Sequence, residues 1–128
     1  MPRLLRILWV LPVSLPAAAL ALLGRATGGH LALCDGVLEA AGGLLPLFLT
    51  LLNPRLRISA ITLGHVVLAR SPDDLERTRA HERVHVRQFE RWGPFFPLLY
   101  LGAGTLMLLR GRHAYWDNPY EREARAQD

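Results

Sequence analysis

Apolar and polar residues fall in blocks along this chain, and each block has its own period. From Ile7 to Gly24 no charge occurs, with Arg3 and Arg6 before the run and Arg25 after it. A charge-free run of about 18 residues approaches the length that crosses a bilayer. Pro12 and Pro16 are tolerated in a membrane helix. A secretory signal is the competing reading, but Gly24-Arg25-Ala26 is a poor cleavage site, so a retained anchor is expected. Asp35-Gly36 lies between apolar residues 31–34 and 37–39 and predicts a hairpin turn. Residues 41–52 are apolar but too few to span, and include Pro46; they are expected to be buried or interfacial. Asn53-Pro54 marks a turn. Residues 58–69 are rich in β-branched side chains and read as one strand.

A helical period follows. Ser71-Pro72-Asp73-Asp74 reads as an N-cap, a first-turn proline and two acids, and Gly93-Pro94 as the stop. In the middle of this helix stands His81-Glu82-Arg83-Val84-His85, an H-E-x-x-H motif. Residues four apart leave a helix on the same face, so His81 and His85 can share one Zn²⁺. Glu82, about 100° further round, sits beside such a metal and is placed to take a proton from water. The bland alternative is a structural pair of histidines. On the same face as His81 lie Gln88 and Trp92, expected to wall the site, while Arg79, Arg83 and Arg87 fall near the opposite side. That arginine row is expected either to meet phosphate headgroups or to be a solvated face paired with Glu76 and Glu90.

Two histidines leave a catalytic zinc site one protein ligand short. His113, Asp117, Glu121 and Glu123 are the downstream candidates. Asn118-Pro119-Tyr120-Glu121 predicts a second, short helix. Glu121 is there either a ligand or a capping-box partner of Asn118. In the second case Glu123 is the fallback ligand.

With its H-E-x-x-H helix and a glutamate on a later helix, the chain resembles the glutamate-zincins over about residues 58–125. The run Glu121-Arg122-Glu123-Ala124 is similar to the E-x-x-A-D stretch of membrane-associated zincins, and H-E-R-V-H-V-R-Q and N-P-Y-E-R-E-A look like those of a small group of bacterial membrane proteins. The resemblance implies Glu121 as third ligand, Zn²⁺ as cofactor and a peptide or protein as substrate. It also implies a bacterial inner-membrane location and a strand beside the motif helix that lines the cleft. Arg125 stands where that stretch has its Asp, and Arg83 puts a charge inside a motif whose middle positions are usually uncharged in metallopeptidases.

The second apolar run, residues 94–109, poses a conflict. If it crossed the membrane, His81/His85 and Glu121 would lie about 30 Å apart on opposite sides. Either the segment is buried, interfacial or re-entrant, or Glu121 is not a ligand. Pro97, Gly102 and Gly104 favour the first option.

Composition narrows the partners. Hydrophobic residues make up 51% of the 128, and the net charge is +4 with every basic residue an arginine. No interleaved aromatic–basic platform or reader motif points to nucleic acid; a basic, apolar chain suits anionic lipid better. Cys34 stands alone, so no intrachain disulfide forms; a small buried hydrophobe is its expected role. His65 reads as an ordinary strand histidine, and His113 or Tyr115 as a candidate oxyanion donor. The expected fold is α+β: a membrane anchor over residues 1–26, then a zincin-like unit over 27–128 with a β-hairpin or edge strand, the motif helix, an apolar helix and a glutamate helix. The expected function is a membrane-anchored zinc metallopeptidase with Glu82 as base. Its rivals are a non-catalytic membrane protein and a zinc-binding module without turnover.

Overall fold

A computed structural model describes residues 2–128. The fold is α+β, three layers deep, with a four-stranded mixed sheet between helices. In chain order the elements are α1 (Arg3–Ala26), β1 (His30–Cys34), β2 (Val37–Ala41), α2 (Leu45–Leu52), β3 (Ala60–Leu63), β4 (Val66–Ala69), α3 (Pro72–Trp92), α4 (Phe96–Leu109) and α5 (Pro119–Arg125). One 3₁₀ turn, Gly93–Phe95, joins α3 to α4.

The sheet order is β1-β2-β4-β3. The predicted Asp35-Gly36 turn joins antiparallel β1 and β2, both turn residues having positive φ (52° and 79°). β2 then pairs with β4 in parallel, Leu38 opposite Val66 and Ala41 opposite Ala69. Residues 58–69 are not one strand. They fold into the antiparallel hairpin β3–β4 around Gly64-His65. Gly64 has φ 68° and lies against α1, where a Cβ would come within 2.3 Å of Ser14 Oγ. Glycine as the first of two loop residues therefore sets the turn and admits the helix at once.

Strand alternation distributes the core to both faces. Ala40, Val66 and Leu68 pack against Ala17 and Ala21 of α1 and Leu45 of α2. Val37, Ala41, Val67 and Ala69 pack against Leu75 and Val86 of α3. The inner face of α1 is thus built into the fold from Val10 to Gly24, all of its buried positions facing inwards. Its outer face presents Leu4, Leu8, Leu15 and Leu22 to the surroundings. In α2, Leu45 and Leu49 are buried while Leu47 and Leu51 are exposed. That pattern matches the buried-or-interfacial expectation for this run.

α4 is apolar on every side, yet only Phe96 and Gly104 are buried. Leu98, Leu101 and Leu109 are 69%, 65% and 81% exposed. Residues 112–118 turn back along it: Arg112 N donates to Met107 O (2.8 Å) and Asn118 Nδ2 to Tyr100 O (3.1 Å). This return resolves the conflict over residues 94–109. It carries α5 to the end of α4 where α3 lies, so Glu121 and the histidines share one side. Two helical segments, Arg3–Ala26 and Pro72–Leu109, are long and apolar enough to cross a membrane; the charged residues of α3 leave the apolar part of the second one in α4.

Candidate metal centre

The motif helix starts as its sequence dictates. Ser71 Oγ accepts from Asp74 N (3.1 Å), Pro72 opens the first turn, and Asp73 and Asp74 lie at the positive end of the helix dipole. It ends at Gly93, whose φ of 62° and lack of a Cβ let the indole of Trp9 pack on the backbone. Between these ends α3 puts His81, His85 and Gln88 towards α5, and Glu82 towards β3.

His81 Nε2 and His85 Nε2 both approach Glu121 Oε1, at 3.0 and 3.1 Å. One ligand atom from each of the three residues lies within 4.8 Å of the others, and all three residues are buried. Glu121 is not a capping-box partner: Asn118 N donates to Tyr115 O instead, while the Asn118 side chain caps α5 through Tyr120 N (3.0 Å).

Partners on the outer side fix the chemistry. Gln88 Nε2 donates to Tyr120 O (3.1 Å) and to Glu123 Oε1 (2.7 Å), which orients the amide. Its Oε1 therefore faces His85 Nδ1, at 2.8 Å. An amide oxygen only accepts, so His85 carries its proton on Nδ1 and turns a lone pair inwards. His81 Nδ1 lies 3.3 Å from the half-exposed Asp128 carboxylate, a charge contact. Tyr100 Oη donates to Glu121 Oε2 (2.5 Å), leaving Oε1 for the centre. Three lone-pair donors thus converge on one point, and that arrangement calls for a cation, either a proton or a metal ion.

The proton affinities carry the same message. Burial alone would lower the pKa of His85, but its hydrogen bond to Glu121 and the negative charges of Glu121 and Glu82 raise it to about 9. His81 is raised too, burial being overcome by the Glu121 bond and the Glu82 charge. Burial would push the Glu121 carboxyl up; the hydrogen bonds from both histidines bring it down to about 2. Glu82 is shifted the other way, upwards, mainly by burial. Its carboxylate accepts from Thr62 Oγ1 of β3 at 2.6 Å.

Several expectations change. Part of the arginine row turns to the sheet: Arg79 and Arg83 both pair with Glu39 of β2, which is 3% exposed (Arg79 Nε 3.0 Å, Arg83 Nη2 2.8 Å), whereas Arg87 is exposed. The charge inside the motif is thereby explained: Arg83 ties α3 to the sheet. Glu90 pairs with His65 (2.9 Å) and Arg6 (3.7 Å), which places His65 away from the centre. Glu123 holds Gln88. Trp92 is 41% exposed and walls nothing. The His113 ring accepts from the backbone of Tyr115 and Trp116 (3.0 Å each) and Asp117 accepts from His113 N (2.7 Å), so both build the turn before α5. Tyr115 does lie near the centre: burial and the charges of Glu121 and Glu82 push its pKa up to about 12. Arg125 stacks on Trp116 (5.1 Å) and bonds its carbonyl.

Tyr100 and Thr62 were not foreseen. A single hydroxyl-bearing ring in an apolar run was the available signal for Tyr100. For Thr62 the signal was strand alternation, which turns it to the same face as Ala60, towards α3. No family model, no curated protein and no solved structure matches the chain.

Proposed function

We propose that the chain is a membrane-associated zinc metallopeptidase in which His81, His85 and Glu121 hold the metal and Glu82 is the general base. One observation carries the reading: the Nε2 atoms of two imidazoles, one with its tautomer fixed by Gln88, converge on one carboxylate oxygen. Two imidazole nitrogens and a carboxylate are a catalytic zinc set with a fourth position open. Donors bound at about 2.0–2.1 Å in a tetrahedron stand roughly 3.3 Å apart, and the 3.0 and 3.1 Å contacts come within a few tenths of that. Bound there, zinc would supply a Lewis acid and a water with its pKa lowered towards about 7.

The chain's own groups do the rest. Glu82, steadied by Thr62, takes the proton of the attacking water and returns it to the leaving amine. Its raised pKa brings it closer to the pH at which a base can do both. β3 is an edge strand, so an extended peptide can pair along it next to Glu82. The outer leucines of α1 and the exposed α4 hold the protein to a membrane, which the resemblance makes the bacterial inner membrane.

A second reading, a zinc-binding module without turnover, draws on the burial of all three ligands, since structural zinc sites are closed. Hydrolysis of a quenched peptide library by the purified chain separates the two. Glu82→Gln is expected to keep zinc and lose hydrolysis by at least about 100-fold; hydrolysis by neither protein, with zinc bound in both, would leave the module.

A further inference from the structure

On the side of α3 away from the metal centre lies a pocket with no part in the proposed hydrolysis. Its volume is about 320 Å³. The first turns of α1, the β1–β2 turn, the β3–β4 turn and the second half of α3 enclose it. The polar residues that line it are Arg3, Asp35, His65, Arg83, Arg87 and Glu90.

Its hydrogen-bonding groups do not balance. Arg83 spends Nη2 on Glu39 (2.8 Å), and its Nη1 is buried without a partner among the described residues. His65 spends Nε2 on Glu90 (2.9 Å), and its Nδ1 is likewise buried without a partner among the described residues. Among the described residues neither Arg3 nor Arg87 makes a salt bridge, and the Glu90 carboxylate is already shared between His65 and Arg6. Arg3 reaches over the turn, its Nη2 being 2.6 Å from where a Cβ on Gly36 would stand. Buried donors are nearly always satisfied. Against the carboxylates of Asp35 and Glu90 the pocket sets three guanidinium groups, and its two unpartnered buried donors call for a further acceptor that is negative and has several oxygens. Guanidinium forks match a phosphate in that respect.

The surroundings suit such a group. Leu4, Leu5 and Leu8 are exposed on the first turns of α1, beside Arg3. Trp9 packs on Phe95 (6.1 Å between ring centroids), and Trp92 at the end of α3 and Phe95 just after it are both exposed. Apolar residues and amphipathic rings thus lie next to the basic pocket, as at a lipid headgroup level.

We propose that this pocket binds a phosphate group, carried by an anionic lipid headgroup or free in solution. The site is independent of the metal centre and does not need zinc. Its test uses the full chain with two probes: inorganic phosphate, read by thermal shift in non-ionic detergent, and phosphatidylcholine vesicles with or without phosphatidylglycerol, read by flotation. Arg87→Gln and Arg3→Gln are compared with Arg55→Gln, which removes the same charge from an exposed loop. The pocket variants are expected to weaken binding about fivefold each, with Arg55→Gln close to wild type. Both exchanges are at exposed side chains, and equal melting temperatures in phosphate-free buffer check that the fold is kept. A response to phosphatidylglycerol alone supports the site and assigns it to lipid; a response to inorganic phosphate supports it and assigns it to soluble phosphate. The proposal is overturned if neither probe binds, or if Arg55→Gln weakens binding as much as Arg87→Gln.

Discussion

Neither histidine of the centre is oriented by its helix alone. Helical spacing brings His81 and His85 to one face, but Gln88 decides which nitrogen of His85 bears the proton, and the Asp128 carboxylate lies beside His81 Nδ1. This predicts a pH dependence. With zinc removed by chelator, the His85–Glu121 pair stabilises the fold fully only below the ordinary histidine pKa of about 6.5. That contribution fades as the pH rises through about 9, the value His85 has in the fold. Zinc needs the neutral imidazole, so its contribution grows over the same interval. The gap in melting temperature between zinc-loaded and chelated protein is therefore expected to widen from pH 6 to pH 9, by calorimetry at about one-unit steps; a constant or shrinking gap would contradict it. At this scale the sequence showed what local spacing encodes: the two histidines, Glu82 beside them, and Glu121 at the start of a capped helix. Tyr100 and Thr62 reach the centre through contacts 21 and 20 residues away in the chain, and periodicity carries no information on such pairs.

Helices and strands are joined here by polar ties as well as by apolar packing. Glu39 alternates with Leu38 and Ala40 on β2 and so faces α3, where Arg79 and Arg83, one turn apart, close on it. Removing one side of a buried ion pair costs about 3–5 kcal/mol, and the partial exposure of Arg79 brings the expected loss for Glu39→Ala to the lower end. Urea unfolding should show about 2–3 kcal/mol; a change below about 0.5 kcal/mol would mean the arginines find solvent instead. The same alternation explains the missed hairpin. Every position of β4 is buried, and Gly64-His65 inside an apolar, β-branched run reads equally as a strand with a bulge or close backbone approach at the glycine. The Asp35-Gly36 turn was legible because it joins the two residue types that best accept positive φ.

Over the whole molecule, the exposed leucines are most numerous on α1 and α4. The sheet packs along α1 over most of its length, so a helix long and apolar enough to cross a membrane also serves the core. A division at residue 26 marks the end of that helix without separating it from the core. Replacing Leu4, Leu8, Leu15 and Leu22 by Ser removes exposed leucines only. The fold, read by circular dichroism, is expected to persist while the protein moves from the membrane pellet to the supernatant after alkaline carbonate washing. Retention of the variant in the pellet would show that these four leucines are not what holds the protein there. The return of residues 112–118 along α4 could not be read from composition, since an apolar run gives the same signal whether the chain continues across a bilayer or doubles back.

The central claim is that His81, His85 and Glu121 form one metal site. Metal analysis of the purified chain, prepared without chelator, tests it most directly when wild type is measured beside Glu121→Ala and Glu123→Ala. The account predicts about one zinc per chain in wild type, its loss in Glu121→Ala and its retention in Glu123→Ala. No metal in wild type, or zinc held as firmly by Glu121→Ala as by wild type, would contradict it.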